Sequence, residues 1–467
     1  MTSLTILTLA AILYGIFGSR GYGVALALGG ATAAGAAFVA GSVVVPTFYA
    51  TAVGAVVALV VRLVKRTRDP HPLAEPPAPG ALALILLLVW ATLVTLAAPE
   101  LFNGLTVLNP AGSIAQLQAG VFSASNIAQI VYLALGVAVA LFLARSRGAG
   151  PELIGVATGL TVLLSFWSYL HQIAGLPFPT GFFDNSPSFT FIDTEAGGGE
   201  RFRGILSEPS GLAAAALVAI CFMASTAVRT RGWRRWGAIV IALIATYLAS
   251  ISTSGTFVVA GVIIAGLAIL AFLVRFVLGG KKVHPAVVAA ICAAGIAAVW
   301  VLPTIIAFVS TTVSQKAGSS SYTDRSGADA LSYKIFQQTF GFGAGLGANR
   351  PSSFAADLVS TVGFVGTLLF GVAVIYLIWR ALPIDRYRPV VWALVALLIV
   401  KLIASPDLSD SSGVLWISIG LLSHAVWERT RATWDTSTST SALDDGRGFR
   451  VTTPPRYGLV RAGNDPR

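Results

Sequence analysis

The segment 201–210, Arg-Phe-Arg-Gly-Ile-Leu-Ser-Glu-Pro-Ser, brings two arginines and a carboxylate close together in the chain. Ser207 is a good helix N-cap and Pro209 is tolerated in a first helical turn, so the sequence predicts that a helix begins here. The guanidinium groups of Arg201 and Arg203 would then meet the backbone N–H groups of a helix N-terminus, an arrangement that binds anions. Such a site could stabilise the charge that develops on a phosphate leaving group.

Glu208 lies in the predicted first turn, close to both arginines in the chain. A carboxylate held at this position could accept the proton of an attacking hydroxyl, which is general base catalysis. We therefore predict that Glu208 and Arg203 act in catalysis and that Arg201 binds the same substrate. The alternative is that Glu208 only favours the helix dipole and pairs with Arg203.

A second polar segment, 310–353, combines basic residues with closely spaced glycines. No βαβ unit surrounds the glycines and no Lys-Ser or Lys-Thr pair follows them, so they form neither a Rossmann turn nor a P-loop. Glycines can instead let backbone N–H groups approach an anion or a sugar closely. We predict a catalytic role for Arg325 and substrate contacts for six further residues of the segment: Lys316, Asp324, Lys334, Gly343, Gly345 and Arg350.

His171 lies at the end of an apolar run, in Ser-Tyr-Leu-His-Gln. It is a candidate for substrate binding, since an imidazole at this position could assist as an acid or a base. The alternative is an interfacial histidine whose hydrogen bonds are satisfied within the fold. Cys221 and Cys292 fall in separate apolar runs and are predicted to be free thiols.

The elements that must position these residues are membrane-spanning helices. Hydrophobic residues make up 55% of the 467 and charged residues 11%, a composition typical of a polytopic membrane protein. We predict an all-α fold with about 12 or 13 transmembrane helices in residues 1–427, because each apolar run approaches the ~20 residues that cross a bilayer. The runs are 81–99, 126–144, 153–173, 206–228, 237–252, 256–279, 285–309, 355–379, 389–404 and 413–427, with Leu4 to Gly18 and two helices in Tyr22 to Val64, broken near Gly41-Ser42 and Pro46.

Basic residues alternate between the ends of the predicted spans. Each cluster of Lys and Arg lies two spans from the last, which places the clusters in the cytoplasm by the positive-inside rule. The net charge of +11 therefore reflects topology and contact with anionic membrane lipids, and no nucleic acid partner is predicted. The clusters are Arg62 to Arg68, Arg145 with Arg147, Arg229 to Arg235, Arg275 with Lys281 and Lys282, Arg380 to Arg388, and Arg429 with Arg431.

This alternation places two long segments, 175–206 and 310–353, on the outer face, and a disordered cytoplasmic tail at 428–467. The outer segments show no cluster of His, Cys or carboxylate residues with metal-ligand spacing, so neither a metal nor a cofactor is predicted. Basic residues on or near this face imply an anionic partner such as phosphate or pyrophosphate, the alternative being paired charges on solvated loops. They are Arg201, Arg203, Lys316, Arg325, Lys334, Arg350 and Lys401.

Together these features resemble the O-antigen polymerase and ligase superfamily of bacterial polysaccharide assembly. The resemblance covers roughly residues 80–425 and rests on the layout of the spans and on three loose motifs. The chain departs from the arginine-to-glycine spacing that some members repeat in both loops. The motifs are the Arg-Gly segment before Ser207-Glu208-Pro209-Ser210, the break Ser252-Thr253-Ser254-Gly255, and Gly343-Ala344-Gly345-Leu346-Gly347 before a helix with Gly363 and Gly366.

The resemblance implies a GT-C-like glycosyltransferase architecture with two periplasmic loops in the bacterial inner membrane. It also implies a metal-independent polymerase that uses an undecaprenyl-pyrophosphate-linked oligosaccharide as donor, with a chain-length regulator and a flippase as partners. By the same resemblance, Arg201, Arg203 and Arg325 match the loop arginines of the family. The residues themselves fit this chemistry, since a lipid pyrophosphate is a good leaving group that arginines can stabilise without a metal.

Other functions stay open at this stage. A ligase that joins finished glycan to a different acceptor is the nearest, and a peptidoglycan polymerase of the SEDS type is more distant. A flippase or transporter would need a charged pathway and paired halves with broken helices, whereas the later apolar runs contain Lys401 as the one clear basic residue. A scaffold subunit of an envelope complex would not need converging arginines on the outer face.

Overall fold

A computed structural model gives the fold of this chain. It describes residues 2–17, 21–40, 43–68, 77–109, 112–146, 148–187, 189, 191, 201–278, 320–404 and 407–444. The described residues are mostly helical and include two short antiparallel β-hairpins, so the predicted all-α class needs a small correction.

The first half of the chain contains α1 (Ser3–Phe17), α2 (Gly23–Ala31), β1 (Ala36–Ala40), β2 (Val43–Pro46), α3 (Thr47–Arg68), α4 (Ala81–Leu101), β3 (Thr106–Leu108), β4 (Ile114–Gln116), α5 (Ala124–Ala144) and α6 (Glu152–Ala174). The second half contains α7 (Pro209–Arg229), α8 (Trp233–Ile251), α9 (Gly255–Leu278), α10 (Ser320–Gln338), α11 (Phe354–Asp357), a π-helical turn (Leu358–Val362), α12 (Gly363–Ala381), a 3₁₀ turn (Asp385–Tyr387), α13 (Arg388–Ala404) and α14 (Val414–Asp444).

Eight helices in the described part of the chain are long and apolar enough to cross a membrane, which is compatible with a polytopic membrane protein. Two shorter apolar helices, Ser3–Phe17 and Thr47–Val61, add to them. The predicted span 285–309 lies outside the described residues, so the total of about 12 or 13 stays a prediction. The eight are Ala81–Leu101, Ala124–Ala144, Glu152–Ala174, Pro209–Arg229, Trp233–Ile251, Phe257–Val274, Phe354–Ala381 and Asp385–Ala404.

The N-terminal region differs from the two spanning helices predicted for Tyr22 to Val64. Helix α2 has only 9 residues, which rise about 14 Å, less than half of the ~30 Å hydrocarbon core. A hairpin follows in which Phe38 pairs with Val45, and only then does the longer α3 begin. The run of valines from Val43 explains the strand, because β-branched side chains favour extended backbone.

Small residues let the core helices approach closely. The indole of Trp416 on α14 is fully buried against Gly136 of α5, where an added Cβ would lie 2.5 Å from Trp416 Nε1. Gly420 meets Ala140 one turn further along the same pair of helices. Such close packing holds helices together in lipid, where the hydrophobic effect does not. Trp416 Nε1 also donates to the Ser409 carbonyl at 3.0 Å, which ties α14 to the segment before it.

Hydrogen bonds join several of the segments between helices at one end of the bundle, which we name the loop end. The Thr2 hydroxyl donates to the Ala36 carbonyl, and the Ala36 N–H donates to Asn185 Oδ1 at 2.8 Å. On α5, Asn126 Nδ2 donates to the Leu346 carbonyl at 2.7 Å. The N-terminus therefore lies at the same end as both predicted outer segments. The loop end comprises the described residues of 31–47, 101–124, 174–209, 251–255, 341–354 and 404–414.

The chain divides into two compact units, Met1–Trp427 and Glu428–Arg467. The buried core described above belongs to the first unit. In the second, the described residues up to Asp444 are helical, whereas the composition predicts disorder there. Residues 445–467 of the predicted tail lie outside the described residues.

Candidate functional site at the loop end

Arg203 is held by an acid, a carbonyl and an aromatic ring. Its Nη1 donates to Asp184 Oδ2 at 2.8 Å and to the Leu206 carbonyl at 2.8 Å. Its guanidinium carbon lies 4.9 Å from the ring centroid of Phe191. The side chains of Arg203 and Asp184 are only 17% and 13% exposed, so water screens this ion pair weakly. The alternative of a paired arginine therefore applies to Arg203, with Asp184 rather than Glu208 as its partner.

Arg201 closes the C-terminal end of α8. Its Nε donates to Thr253 Oγ1 at 3.0 Å, and its Nη2 donates to the carbonyls of Thr253 at 3.0 Å and Ser252 at 3.3 Å. The last carbonyls of a helix lack partners within it, and a cation is favourable there. Thr253 has a φ of 48°, which a β-branched residue rarely adopts. Arg201 thus joins the segment before α7 to the Ser-Thr-Ser-Gly break after α8.

Helix α7 begins one residue later than predicted, with Glu208 instead of Ser207 as its N-cap. Pro209 occupies the first helical position, where its missing N–H costs nothing. Glu208 is half-buried, and its side chain makes no capping hydrogen bond. No hydrogen bond or ion pair with another described residue engages its carboxylate. The Glu208 carboxylate is therefore not engaged within the described part of the structure.

Two buried oxygens of the same region lack hydrogen-bond partners in the described part of the structure. One is Asp184 Oδ1, the second oxygen of the carboxylate that pairs with Arg203, and the other is Ser210 Oγ in the first turn of α7. Buried polar atoms are nearly always hydrogen-bonded, to protein, water or ligand. Neither oxygen is exposed, so a ligand hydroxyl could reach it only after a local rearrangement.

His171 lies in the last turn of α6 and contacts the segment that follows. Its Nδ1 is 2.7 Å from the Leu176 carbonyl, and its ring centroid is 6.2 Å from that of Phe178. Trp167 Nε1 donates to the Pro177 carbonyl at 2.8 Å and holds the same segment. This arrangement matches the alternative interpretation of His171 as an interfacial histidine with a satisfied ring nitrogen.

The glycine segment uses its backbone N–H groups within the fold. The N–H of Gly343 donates to Thr339 Oγ1 at 3.0 Å, and that of Gly345 donates to the Thr361 carbonyl at 3.0 Å. Both glycines have left-handed φ values, 90° and 92°. A Cβ on Gly345 would lie 2.7 Å from Thr95 Cα of α4. The N–H groups of Gly343 and Gly345, which the sequence predicts to approach an anion or a sugar, are therefore bonded within the fold. The absence of a side chain at these glycines allows close packing.

The remaining predicted residues lie around α10. Arg325 and Lys334 are exposed on this helix, and Arg350 is exposed after the glycine segment, where its N–H donates to the Leu108 carbonyl at 2.8 Å. Asp324 lies in the first part of α10, and Lys316 lies outside the described residues. The structure thus places Arg201 and Arg203 in the segment that leads to Glu208, with the Arg203 guanidinium on the Leu206 carbonyl. It places Arg325, Lys334 and Arg350 in a second group on and after α10.

The sequence suggested Asp184 as one of several acids that could pair with the outer basic residues, but it did not connect Asp184 with Arg203. Asp184 is 19 positions from Arg203 in the chain, and no local spacing connects the two. Lys401 was noted as a basic residue near the outer face, but Asp357 and Asp410 near it were not. Their signal was available, because a charged residue within or beside an apolar run indicates a specific partner.

Neither a metal site nor a known family identifies the function. Within the described ranges, no group of three or more His, Cys, Asp or Glu side chains could hold a metal ion. In comparisons with known proteins, no protein-family model and no curated protein matches this chain.

Proposed function

We propose that this chain is an inner-membrane polysaccharide polymerase, which transfers an undecaprenyl-pyrophosphate-linked glycan onto the next lipid-linked repeat unit at the periplasmic face. The supporting observation is the start of α7, where the guanidinium of Arg203 binds the Leu206 carbonyl, two residues before Glu208, and where no described residue engages the Glu208 carboxylate. A base and cations are the groups that metal-independent glycosyl transfer needs.

In the proposed reaction, the acceptor hydroxyl oxygen attacks the anomeric carbon of the donor sugar. The bond from that carbon to the phosphate oxygen breaks, and the pyrophosphate leaves on its lipid with the bonding electron pair. Glu208 takes the proton of the hydroxyl.

Arg203 and Arg201 stabilise the developing negative charge on the pyrophosphate. Arg203 already binds a carboxylate, so a phosphate oxygen either shares its guanidinium with Asp184 or replaces that acid. Arg201 sits at a helix end whose carbonyls it caps, which fixes its guanidinium next to the same segment. Because both guanidinium groups are already held in place, less free energy is needed to reorganise the site in the transition state. The group around Arg325 is then a candidate surface for the more distant parts of the glycan.

The decisive experiment compares wild type with Glu208→Gln in elongation of undecaprenyl-pyrophosphate-linked repeat units by purified protein. The variant is nearly isosteric and should lose most transfer, because general base catalysis contributes about 100-fold to 10,000-fold. Glu152→Gln is a matched control, since Glu152 is also acidic, lies in the first turn of α6 and is exposed at 68%. Donor binding is measured in parallel and should stay near that of wild type.

Near-normal elongation by Glu208→Gln would remove this carboxylate from catalysis and make Asp184 the next candidate. The same assay separates polymerase from ligase when the acceptor is varied. A polymerase extends the lipid-linked repeat unit, whereas a ligase transfers glycan only to a different acceptor lipid. Wild-type protein that neither elongates nor ligates, but still moves the lipid-linked donor across vesicles, would favour the flippase alternative.

A further inference from the structure

The connection from α10 to α11 packs against the middle of α4. The Phe342 ring stacks on the Trp90 ring of α4, with 5.9 Å between the centroids. Further along the connection, the Leu346 N–H donates to Thr95 Oγ1 at 2.9 Å. Trp90 lies at the centre of the apolar run 81–99, nine residues or about 14 Å of helix from either end. If α4 crosses the membrane, the Phe342 ring therefore lies near the middle of the ~30 Å hydrocarbon core.

Helix α12 and the turn before it contact the same part of the connection. Trp90 Nε1 donates to the Val362 carbonyl at 2.8 Å, which joins α4 to the start of α12. The Phe364 N–H donates to the Gly341 carbonyl at 2.7 Å. Val362 and Phe364 belong to the apolar stretch Phe354–Ala381, which is long enough to cross a membrane. Two helical stretches of spanning length thus flank the connection.

Every backbone N–H from Gly341 to Leu346 is hydrogen-bonded within the fold. Those of Ala344 and Gly345 donate to the Ser360 and Thr361 carbonyls of the π-helical turn, at 2.7 and 3.0 Å. The other four donate to acceptors in or beside α10 and α4, namely Phe336, Thr339 and Thr95. Irregular backbone at membrane depth requires such internal bonds, because the hydrocarbon core offers no partners. On an aqueous surface, water would satisfy the same groups.

Three phenylalanine rings of this region are exposed. Phe340 is 87% exposed, and Phe342 and Phe364 are 48% and 61% exposed. Phe340 also has a left-handed φ of 52°, so the fold holds this ring outward against the preference of its backbone. In water, burial of these rings would be favoured, whereas lipid tails are as apolar as the rings themselves. The exposed rings therefore fit a lipid environment.

Phe342 also forms one wall of an apolar groove on α4. The groove extends from Trp90 to Phe102, along the half of α4 nearer to the loop end, and has a volume of about 120 Å³. All eight side chains that line it are apolar or aromatic. Two of them, Leu93 and Leu101, are 56% and 66% exposed, so the groove opens toward the surroundings of the helix. A groove of this composition at this depth suits a hydrocarbon chain.

We propose that residues 340–345 form a re-entrant segment, which enters the membrane from the loop end, and that an acyl chain of a bilayer phospholipid fills the groove between this segment and α4. The occupant is a lipid chain because the groove is continuous with the exposed apolar surface of two helices of spanning length. The predicted outer segment 310–353 then lies only partly outside the membrane. The inference rests on α4 and α12 crossing the membrane and is independent of the proposed transfer reaction.

The first test is spin labelling of protein that lacks native cysteines, in phospholipid nanodiscs. A nitroxide in hydrocarbon collides more with dissolved oxygen than with a water-soluble nickel chelate, and a nitroxide in water does the opposite. Labels at Phe340→Cys in the segment and at Ala97→Cys in the groove should show the hydrocarbon pattern. Leu368→Cys, 52% exposed on α12, is the lipid-facing control, and Gln118→Cys, exposed at the loop end, is the water-facing control.

Two results of this experiment would overturn the proposal. An oxygen-to-nickel ratio near that of Gln118→Cys would place the segment on the aqueous surface. Few collisions with either reagent would show that another part of the chain, such as the predicted span 285–309, covers the groove. The ratio of Leu368→Cys at both labelled positions is the expected result.

Native mass spectrometry of protein released from the nanodiscs tests the occupant of the groove. Wild type should retain phospholipid that Ala97→Trp loses, because the indole fills the groove. Leu368→Trp is the matched control, since it adds an indole to an exposed position outside the groove, and it should retain phospholipid as wild type does. Equal retention by wild type and Ala97→Trp would show that no phospholipid chain is held there and would overturn the assigned occupant.

Discussion

Arg203 and Asp184 form an ion pair of 2.8 Å between Nη1 and Oδ2, although 19 positions separate them in the chain. This pair fixes the 201–210 segment against an earlier part of the same predicted outer loop, 175–206. One arginine of the predicted anion site thus has an anion next to it before any substrate arrives. A pyrophosphate has to share or replace that partner.

Arg203→Ala should slow glycan transfer about tenfold to a hundredfold. A charge-assisted hydrogen bond contributes roughly 1.5 to 3 kcal/mol, and each ~1.4 kcal/mol lost from the transition state is a factor of ten. Arg203→Lys should rescue only part of the rate, because an ammonium cannot reproduce the guanidinium fork. Initial rates of elongation at saturating donor measure the effect, and wild-type rates for the alanine variant would place the anion site elsewhere.

Asp184→Asn should lower the stability of the protein but raise its affinity for the donor. The change removes the anion that pairs with a largely shielded guanidinium, so the unfolding temperature should fall. Donor binding should tighten, because the pyrophosphate no longer competes with a carboxylate for Arg203. Equilibrium binding of labelled lipid-linked donor checks this, and weaker binding would mean that Asp184 contacts the donor directly.

Arg201→Ala and Arg325→Ala should differ in stability. Arg201 caps the end of α8 and holds Thr253 in a left-handed conformation, so its loss should lower the unfolding temperature. Arg325 is exposed on α10, and its loss should leave that temperature unchanged. If Arg325 is catalytic, its variant nevertheless loses transfer activity. Thermal unfolding in detergent and elongation on the same samples resolve the two effects.

Gly345→Ala should destabilise the protein by about 1 to 3 kcal/mol, the usual cost of forcing extra volume into a packed site. The new Cβ would lie 2.7 Å from Thr95 Cα, and the φ of 92° suits only glycine. Gly371→Ala is the matched control, because open space surrounds this helical glycine of α12. A stable Gly345→Ala protein that has lost transfer would instead favour direct contact between the glycine segment and substrate.

Cysteine labelling should place the loop end and α10 outside the cell. In a background without native cysteines, Gln118→Cys and Lys334→Cys should react with an impermeant reagent in intact spheroplasts. Arg231→Cys, exposed at the opposite end of α7, should react only after lysis. The reverse pattern would invert the predicted topology.

The sequence predicted the eight long apolar helices of the described part with good accuracy. Apolar runs such as 126–144 and 153–173 became α5 and α6 with ends shifted by a few residues, because a run of ~20 apolar residues has one stable form in lipid. The start of α7 was predicted to within one residue, because Pro209 fits only the first turn. The N-terminal hairpin was missed, since a valine-rich apolar run of this length suits a strand as well as a helix.

Only the tertiary structure decided which polar groups meet. Local spacing connected Glu208 with Arg203, yet Arg203 pairs with Asp184, and the glycine N–H groups offered to an anion bind Thr339 and the Thr361 carbonyl instead. Lys401 on α13 lies 3.6 Å from Asp410, which precedes α14, and no local motif connects the two. The physical reason is that hydrophobicity and backbone preference act along the chain, whereas ion pairs and hydrogen bonds depend on distances of about 3 Å that packing between distant segments sets.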